Sequence, residues 1–559
     1  MAFLKWFFSE NLHNPSLFRT VYIVNLFFCS VCFWNIAGVA VNVLIFLWSL
    51  VILVDMFLVR KNFRCVKQLA VLTVFLAAGL YTVLINIDSN FAVNFVMLYH
   101  AAICFFLFYG MHSEPDREKV RAEIDLVLKL IVCLSTALAV VGLMFVLFAP
   151  TGRLYFGGYV FGIMDNRFTG VYTNPNLAAF SSVAGMACCH ILMKRNRPAV
   201  NGRRALPLWV IISCFAANTV SLLLSDSNSS LVFAVVYICV YLFCRFYQKN
   251  AGSFSKKTVV RGAALVLCCG LIAGSSLGFR TVSQAGVSKL INATDNMRVF
   301  AGFGMGSGTD KQEGADGRDI EIGRLEDYEL SSGRIDSLKK SMVLFKRFPL
   351  LGVGKGNIVP YGEKYIVDGF AFHDLHNGYL TILISNGIVG LAVFMAFILM
   401  FGKRLVRFLR RNRSGNLKEF PALVAALVAY CVFGLFEKAI LFDITFMVMI
   451  FWMLMGHTAS FLAEYEWQED TVDNRSAIPV GGYYRPGYAY TYILPAYQNE
   501  VVRSFSDVSG NHPSEMIGYK RFHYQQGLSP PRAVQMVKVN QGDMRAEILS
   551  FRTKALIPK

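Results

Sequence analysis

Residues 370–380 read "FAFHDLHNGYL", and residues 381–401 continue "TILISNGIVGLAVFMAFILMF". The second stretch is almost purely apolar and long enough to cross a bilayer, which takes about 20 residues. The first sets His373, Asp374 and His376 at the lip of that segment. What such a cluster does depends on the side of the membrane it faces, so topology is read first.

The chain has 559 residues, 55% hydrophobic and 16% charged, whereas a soluble protein carries roughly a quarter charged residues. Apolar runs of membrane-spanning length recur through the first 460 positions, the signature of an all-α polytopic membrane protein. About twelve transmembrane helices are expected, at roughly 20–38, 40–59, 69–87, 91–110, 124–148, 177–193, 207–224, 230–247, 262–279, 377–401, 420–437 and 440–462. The first two form one apolar stretch too long for a single crossing, with Asn35–Gly38 as the expected hairpin turn. Residues 1–19 have no apolar core leading to a cleavage site and read as an amphipathic surface segment. The organisation expected is therefore helices one to nine over 20–279, a long loop over 280–375, helices ten to twelve over 376–462, and a tail over 463–559.

The net charge of +18 is a matter of position. "RKNFRCVKQ", "KRNRPAVNGRR", "QKNAGSFSKKTVVR" and "GKRLVRFLRRNRSGNLKE" are short basic connections, while the alternating "DSN", "SDSNSS" and "EK" carry almost no positive charge. The positive-inside rule puts the basic loops, both termini and the tail in the cytoplasm. It thereby accounts for much of the charge without a nucleic-acid partner. All 13 cysteines lie in or beside apolar segments, so no disulfide framework is implied, and Cys29-x-x-Cys32 reads as helix packing.

Two longer connections then face outward, 150–176 and about 280–375. The second contains "AGFGMGSGTDKQEGADGRD", which cannot bury enough apolar surface to order itself and reads as a mobile lid or as disorder. It continues into "SSGRIDSLKKSMVLFKRFPLLGVGKGN", an amphipathic helix capped by Ser331 or Ser332 and ended by Pro349.

His373, Asp374 and His376 therefore lie outside, at the N-terminus of the tenth helix. A helix N-terminus favours anions such as a diphosphate and disfavours protonation of a neighbouring imidazole. A neutral His376 there suits a general base. His376 and Asn377 also suit a plain interfacial helix cap, and these residues alone leave both readings open. Arg153, Arg167 and Arg334 in the outward loops, with Lys355 between two glycines, are candidate diphosphate clamps. "NPN", with Asn174 and Asn176, is first a helix-capping signal.

Taken in order, "RFTGVYTNPNLAAF", "LLLSDSNSSLVF", "SSGRIDSLKKSMVLFKRFPLLGVGKGN" and "HNGYLTILISNGIVGL" resemble the successive signatures of the O-antigen ligase and polysaccharide polymerase superfamily, over roughly residues 150–400. The resemblance implies a glycosyltransferase of the bacterial plasma membrane. Such an enzyme takes glycan from an undecaprenyl-diphosphate carrier on the outer face and transfers it, with inversion and without metal or other cofactor, to a hydroxyl of a glycan, lipid or protein acceptor. By motif, His376 matches the family's essential histidine, and Arg334 and Arg167 match arginines that bind the diphosphate. His373, Asp374, Asn377, Asn174 and Asn176 support them. One departure stands out: where many members have Ser-Arg after the seventh helix, this chain has Asn228-Ser229-Ser230. Lys355 or Arg153 is the expected substitute for that phosphate contact.

Two other classes compete. A transporter or flippase of lipid-linked glycans would show ionisable residues at mid-membrane and internal repeats. Here Asp443 is the best mid-span candidate, Asp55 and Glu437 lie near helix ends, and no repeat is evident. A membrane scaffold acting through its tail would not depend on His376. Ligase and polymerase are not separated, because the acceptor site leaves no legible signature.

Overall fold

The computed structural model describes residues 11–59, 67–114, 116–148, 153–156, 159–195, 206–250, 256–294, 322, 334–366, 375–411 and 418–473. It also describes 516–519, 533–539 and 546–552, which belong to a separate unit, Ser476–Lys559. His373, Asp374, the cap expected at Ser331 or Ser332 and the Gly-rich stretch all lie outside the described residues.

The first unit is helical: α1 (Pro15–Cys29), α2 (Asn35–Val54), α3 (Lys67–Ile85), α4 (Phe91–Ala102), α5 (Arg117–Phe148), α6 (Pro175–Lys194), α7 (Leu208–Leu224), α8 (Asn228–Asn250), α9 (Lys256–Thr294), α10 (Arg334–Arg347), α11 (Ile358–Tyr365), α12 (Gly378–Arg411), α13 (Phe420–Phe433) and α14 (Phe446–Asp473). Nine described helical segments are long and apolar enough to cross a membrane. The remaining apolar helices, α1, α7 and α13, have 15, 17 and 14 residues. The chain is thus an all-α polytopic membrane protein, with nine spans by length among the described residues, where about twelve are expected from the sequence.

Several boundaries differ from the sequence reading. Asn14 accepts from the N–H groups of Ser16 and Leu17 at 3.1 and 3.3 Å, and Pro15 takes the first helical position, so α1 starts before residue 20. The turn after α1 is not Asn35–Gly38, which opens α2; it lies at Ser30–Trp34. Backbone pairing fixes it there, Cys32 N–H donating to Val171 O at 3.1 Å and Thr173 N–H to Ser30 O at 3.0 Å. α9 continues past residue 279, and Asp443, with Glu437, falls in the connection between α13 and α14 instead of within a span.

The connection before α6 is an antiparallel sheet, β1 (Arg153–Phe156), β2 (Tyr159–Met164) and β3 (Arg167–Gly170), in that order. Asp165 and Asn166, both with positive φ (50° and 55°), make the two-residue turn from β2 to β3, the geometry that matches strand twist. The C-terminal unit holds a second antiparallel sheet, β4 (Met516–Tyr519), β5 (Ala533–Val539) and β6 (Ala546–Arg552).

α12 is broken at Gly387, whose φ of 63° and ψ of −169° are open essentially to glycine alone. In a bilayer the backbone groups freed by such a break need partners within the protein. The segment after α10 supplies them. Val353 N–H donates to Ile384 O at 3.0 Å and Gly354 N–H to Ser385 O at 2.8 Å, while Ile388 N–H donates to Pro349 O at 2.8 Å and Val389 N–H to Leu350 O at 3.2 Å. Leu344, Val353, Ile358, Leu375, Leu380 and Ile384 close a small apolar core around this clasp. α10 and α11 are thereby fastened to the first half of α12.

At the end of the bundle where α6 stops and α13 starts, Arg195 pairs with Asp125 and with Glu419 at 3.2 Å, and His457 Nε2 lies 3.1 Å from Glu419. Burial alone would raise the Glu419 carboxyl. The hydrogen bond and charge of His457, with the Arg195 and Arg121 guanidinium groups, instead hold it below the ordinary carboxylate range.

Two outcomes are expected. Gly387→Ala strains φ and drives a Cβ into the Leu350 carbonyl, so it destabilises by about 2 kcal/mol or more; Gly402→Ala, facing open space within α12, does not. Thermal unfolding of the two variants in detergent compares them. Because the Glu419 value is depressed on folding, its contribution is complete above the unfolded value of about 4.3 and is lost as pH falls below it. Acid unfolding of Glu419→Gln is therefore expected to start from lower neutral-pH stability with a shallower pH dependence than wild type.

Candidate functional site

The other end of the same two helices, α6 and α13, carries a second polar cluster, built around Glu437. α13 ends at Phe433, and Glu437 N–H still donates to Phe433 O at 2.9 Å, so the connection leaves the helix in a tight turn. Trp452 Nε1 donates to Ile440 O at 2.8 Å and holds the connection against α14. The Glu437 side chain is 9% exposed, and a buried carboxylate needs compensating donors.

Four segments distant in sequence supply them. Arg334 Nη2, at the start of α10, lies 3.2 Å from Oε1. Ser229 Oγ, at the start of α8, donates to Oε1 at 3.2 Å, and Asn176 Nδ2, at the start of α6, at 3.4 Å. His376 Nδ1 lies 3.4 Å from Oε2. The His376 side chain is 50% exposed, so it is the cluster's open face.

His376 sits immediately before α12 with φ 45°, in the left-handed region that histidine enters more readily than most side chains. Asn377 is the cap, its Oδ1 accepting from Leu380 N–H at 2.9 Å. Gly378 N–H donates to Gly434 O at 2.8 Å. This helix end is partly closed by the protein itself. Its first-turn donors Gly378 N–H and Leu380 N–H are satisfied within the protein, and the negative charge beside it is Glu437.

Arg167 opens β3 and reaches the same cluster from the side. Its Nη2 donates to Asn176 Oδ1 at 2.8 Å and its Nε to Ser225 O at 2.9 Å. Asn174 is a structural cap, accepting from Asn176 N–H at 2.7 Å, so the two asparagines of "NPN" divide capping and site contact between them. Arg280 was not among the expected residues. From α9 its Nη1 bonds Asn228 Oδ1 at 2.6 Å and lies 2.9 Å from Asp226 Oδ1, which sets a guanidinium at the turn where the sequence lacks its own arginine. The signal for it was weak, because Arg280 stood at the expected start of a loop.

The Arg153 side chain lies outside the described residues, and no described contact joins Lys355 to Glu437. Lys355 opens a short 3₁₀ turn, Lys355–Asn357, and lines a small cavity with Thr82, Asn94, Ser385 and Asn386. Arg153 begins β1, opposite Gly162. Among the described residues no group of three His, Cys, Asp or Glu side chains is placed to hold a metal ion. Glu437 itself was read only as a charge near a helix end; its role as a meeting point depends on contacts between segments that no local pattern encodes.

The cluster is expected to behave as a coupled unit. A double-mutant cycle of Arg334→Ala and Glu437→Gln, read by thermal unfolding, should give a coupling of about 1 kcal/mol, since Arg334 is only partly buried. The more exposed pair Lys340–Asp336 within α10, with its carboxylate 53% exposed, should give about 0.3 kcal/mol. A coupling no larger than that of the exposed pair contradicts the geometry.

Residues 210–395 match the family model described as O-antigen ligase. The matched segment contains Ser229, Arg280, Arg334 and His376, and leaves Arg167, Asn176 and Glu437 outside it. No curated protein matches the chain. Over residues 210–395, about a third of its length, the chain is thus similar to the O-antigen ligase family.

Proposed function

We propose that the protein is a glycosyltransferase of the bacterial plasma membrane that moves glycan from an undecaprenyl-diphosphate carrier to an acceptor hydroxyl on the outer face. The family match supports membrane glycosyl transfer of the ligase or polymerase type. The observation that carries the residue-level reading is the convergence of Arg334 and His376, 42 positions apart in the matched segment, on one buried carboxylate. The basic connections give the orientation, with both termini and the tail from 463 in the cytoplasm.

In this reading the proton of the acceptor hydroxyl passes to His376. The freed oxygen forms its bond to the anomeric carbon from the face opposite the carrier. The bond from that carbon to the phosphate oxygen breaks, its electron pair leaving with the diphosphate, and the configuration inverts. Arg334 and Arg167, with Arg280 beside the Asn228 turn, are the cations for the departing charge, because guanidinium meets phosphate through paired hydrogen bonds. Base and charge stabilisation are thus both assigned to side chains, and the transfer is metal-independent. Ligase and polymerase share these steps and differ in the acceptor, which is a glycan, a lipid or a protein. The transport reading loses its best residue, since Asp443 lies 3.3 Å from Lys438 in a connection and not within a span.

The test is transfer by purified protein in detergent from an undecaprenyl-diphosphate glycan with EDTA present. His376→Ala is expected to lose transfer by about 10²-fold or more while still binding donor, and a ladder of products separates polymer from single addition. Equal transfer by mutant and wild type, or loss of wild-type transfer to EDTA, overturns the mechanism.

A further inference from the structure

We infer that Glu437 is the positioning residue for His376: its carboxylate accepts Nδ1–H, fixes the tautomer and ring, and leaves Nε2 to take the acceptor hydroxyl's proton. The inference rests on the transfer reading above and concerns a residue outside the segment that matches the family.

Three observations carry it. The first is direction: the Glu437 contact is to Nδ1, at 3.4 Å, so the other ring nitrogen is the one left for chemistry. An imidazole with one nitrogen bonded to a carboxylate has its tautomer set by that bond. The contact is long for a hydrogen bond, and a catalytic contact can be long before substrate tightens it.

The second is exposure. Glu437 is nearly buried and its Oε1 is shared by Arg334, Ser229 and Asn176, whereas half of the His376 side chain is open. The carboxylate therefore is not the group that meets substrate; the imidazole is. The third is backbone. His376 has φ 45° and stands directly before the Asn377 cap and the Gly378 N–H bond to Gly434 O, so the backbone that presents the ring is tied on its C-terminal side.

The charged groups of the neighbouring segments fit this assignment. Arg334 comes from α10, Arg167 reaches Asn176 from β3, and Arg280 pairs with Asp226 beside α8. Lys438 pairs with Asp443 at 3.3 Å within the same connection as Glu437. When the base accepts its proton, the imidazolium has Glu437 as its adjacent counter-charge. Arg334 is then shared between that carboxylate and the leaving diphosphate. Removing the carboxylate should therefore slow the chemical step without weakening donor binding, since Arg334 loses a competitor for the phosphate.

The experiment compares wild type, Glu437→Gln, Glu437→Asp, His376→Gln and the double variant, measuring kcat, donor KM and thermal stability with an undecaprenyl-diphosphate glycan. Expected are a fall in kcat of about 10²-fold for Glu437→Gln with donor KM unchanged or lower, and recovery of part of that loss in Glu437→Asp. The double variant should be no slower than His376→Gln, because a residue that acts through another is not additive with it. Glu437→Gln at wild-type kcat overturns the inference, as does a double variant slower than His376→Gln by a further ~10²-fold. A rise in donor KM together with a drop in stability also overturns it and makes Glu437 a structural strut. If wild type transfers nothing, or His376→Gln equals wild type, it is the transfer reading that fails, and the inference falls with it.

Discussion

A helix inside a membrane cannot break unless something else takes up its backbone hydrogen bonds, and the break at Gly387 is where this constraint organises the chain. The groups opened between Ile384 and Val389 are closed by Pro349–Gly354, through four backbone hydrogen bonds. That clasp converts a long connection into a fixed part of the bundle. α10 ends immediately before it and α12 begins before the break, so Arg334 and His376 are carried by elements that share one anchor. The small apolar core of Leu344, Val353 and Ile384 seals the join.

The bundle is also tied at both ends of the same helices. α6 runs from Asn176, beside Glu437, to Arg195, beside Glu419; α13 runs between the same two carboxylates in the opposite sense. Each carboxylate is buried and met by an arginine and a histidine. The environments then diverge. His457 is closed in at 3% exposure, while His376 is half open. A similar set of groups thus forms a structural lock at one end and, in the proposed mechanism, an accessible base at the other, the difference being solvent access.

What the sequence makes legible follows from how local the cause is. The membrane class, the helix count to within three short members, the caps at Asn174 and Asn377 and the end of α10 at Pro349 all have signals within a few residues. The sheet before α6 also had a local signal, Gly157-Gly158 and Asp165-Asn166 punctuating aromatic and β-branched runs, yet its length suited a loop. Glu437 had none and Arg280 only a weak one. Glu437 sits in a connection of ordinary composition and gains its meaning from Arg334, Ser229, Asn176 and His376, which are brought to it by four separate segments. Around Lys355, Gly354 and Gly356 come close to Asn94, a contact from a distant segment that no local pattern encodes.

The central claim is a single displacement in which an imidazole base delivers the acceptor oxygen opposite a diphosphate held by arginines. The stereochemistry of the product tests it most directly. The purified protein should be given a lipid-diphosphate glycan of defined anomeric configuration, and the new linkage read by nuclear magnetic resonance. Inversion at the transferred sugar is the predicted result. Retention would require a covalent glycosyl intermediate or an equivalent double displacement, and would contradict the roles assigned to His376 and Glu437.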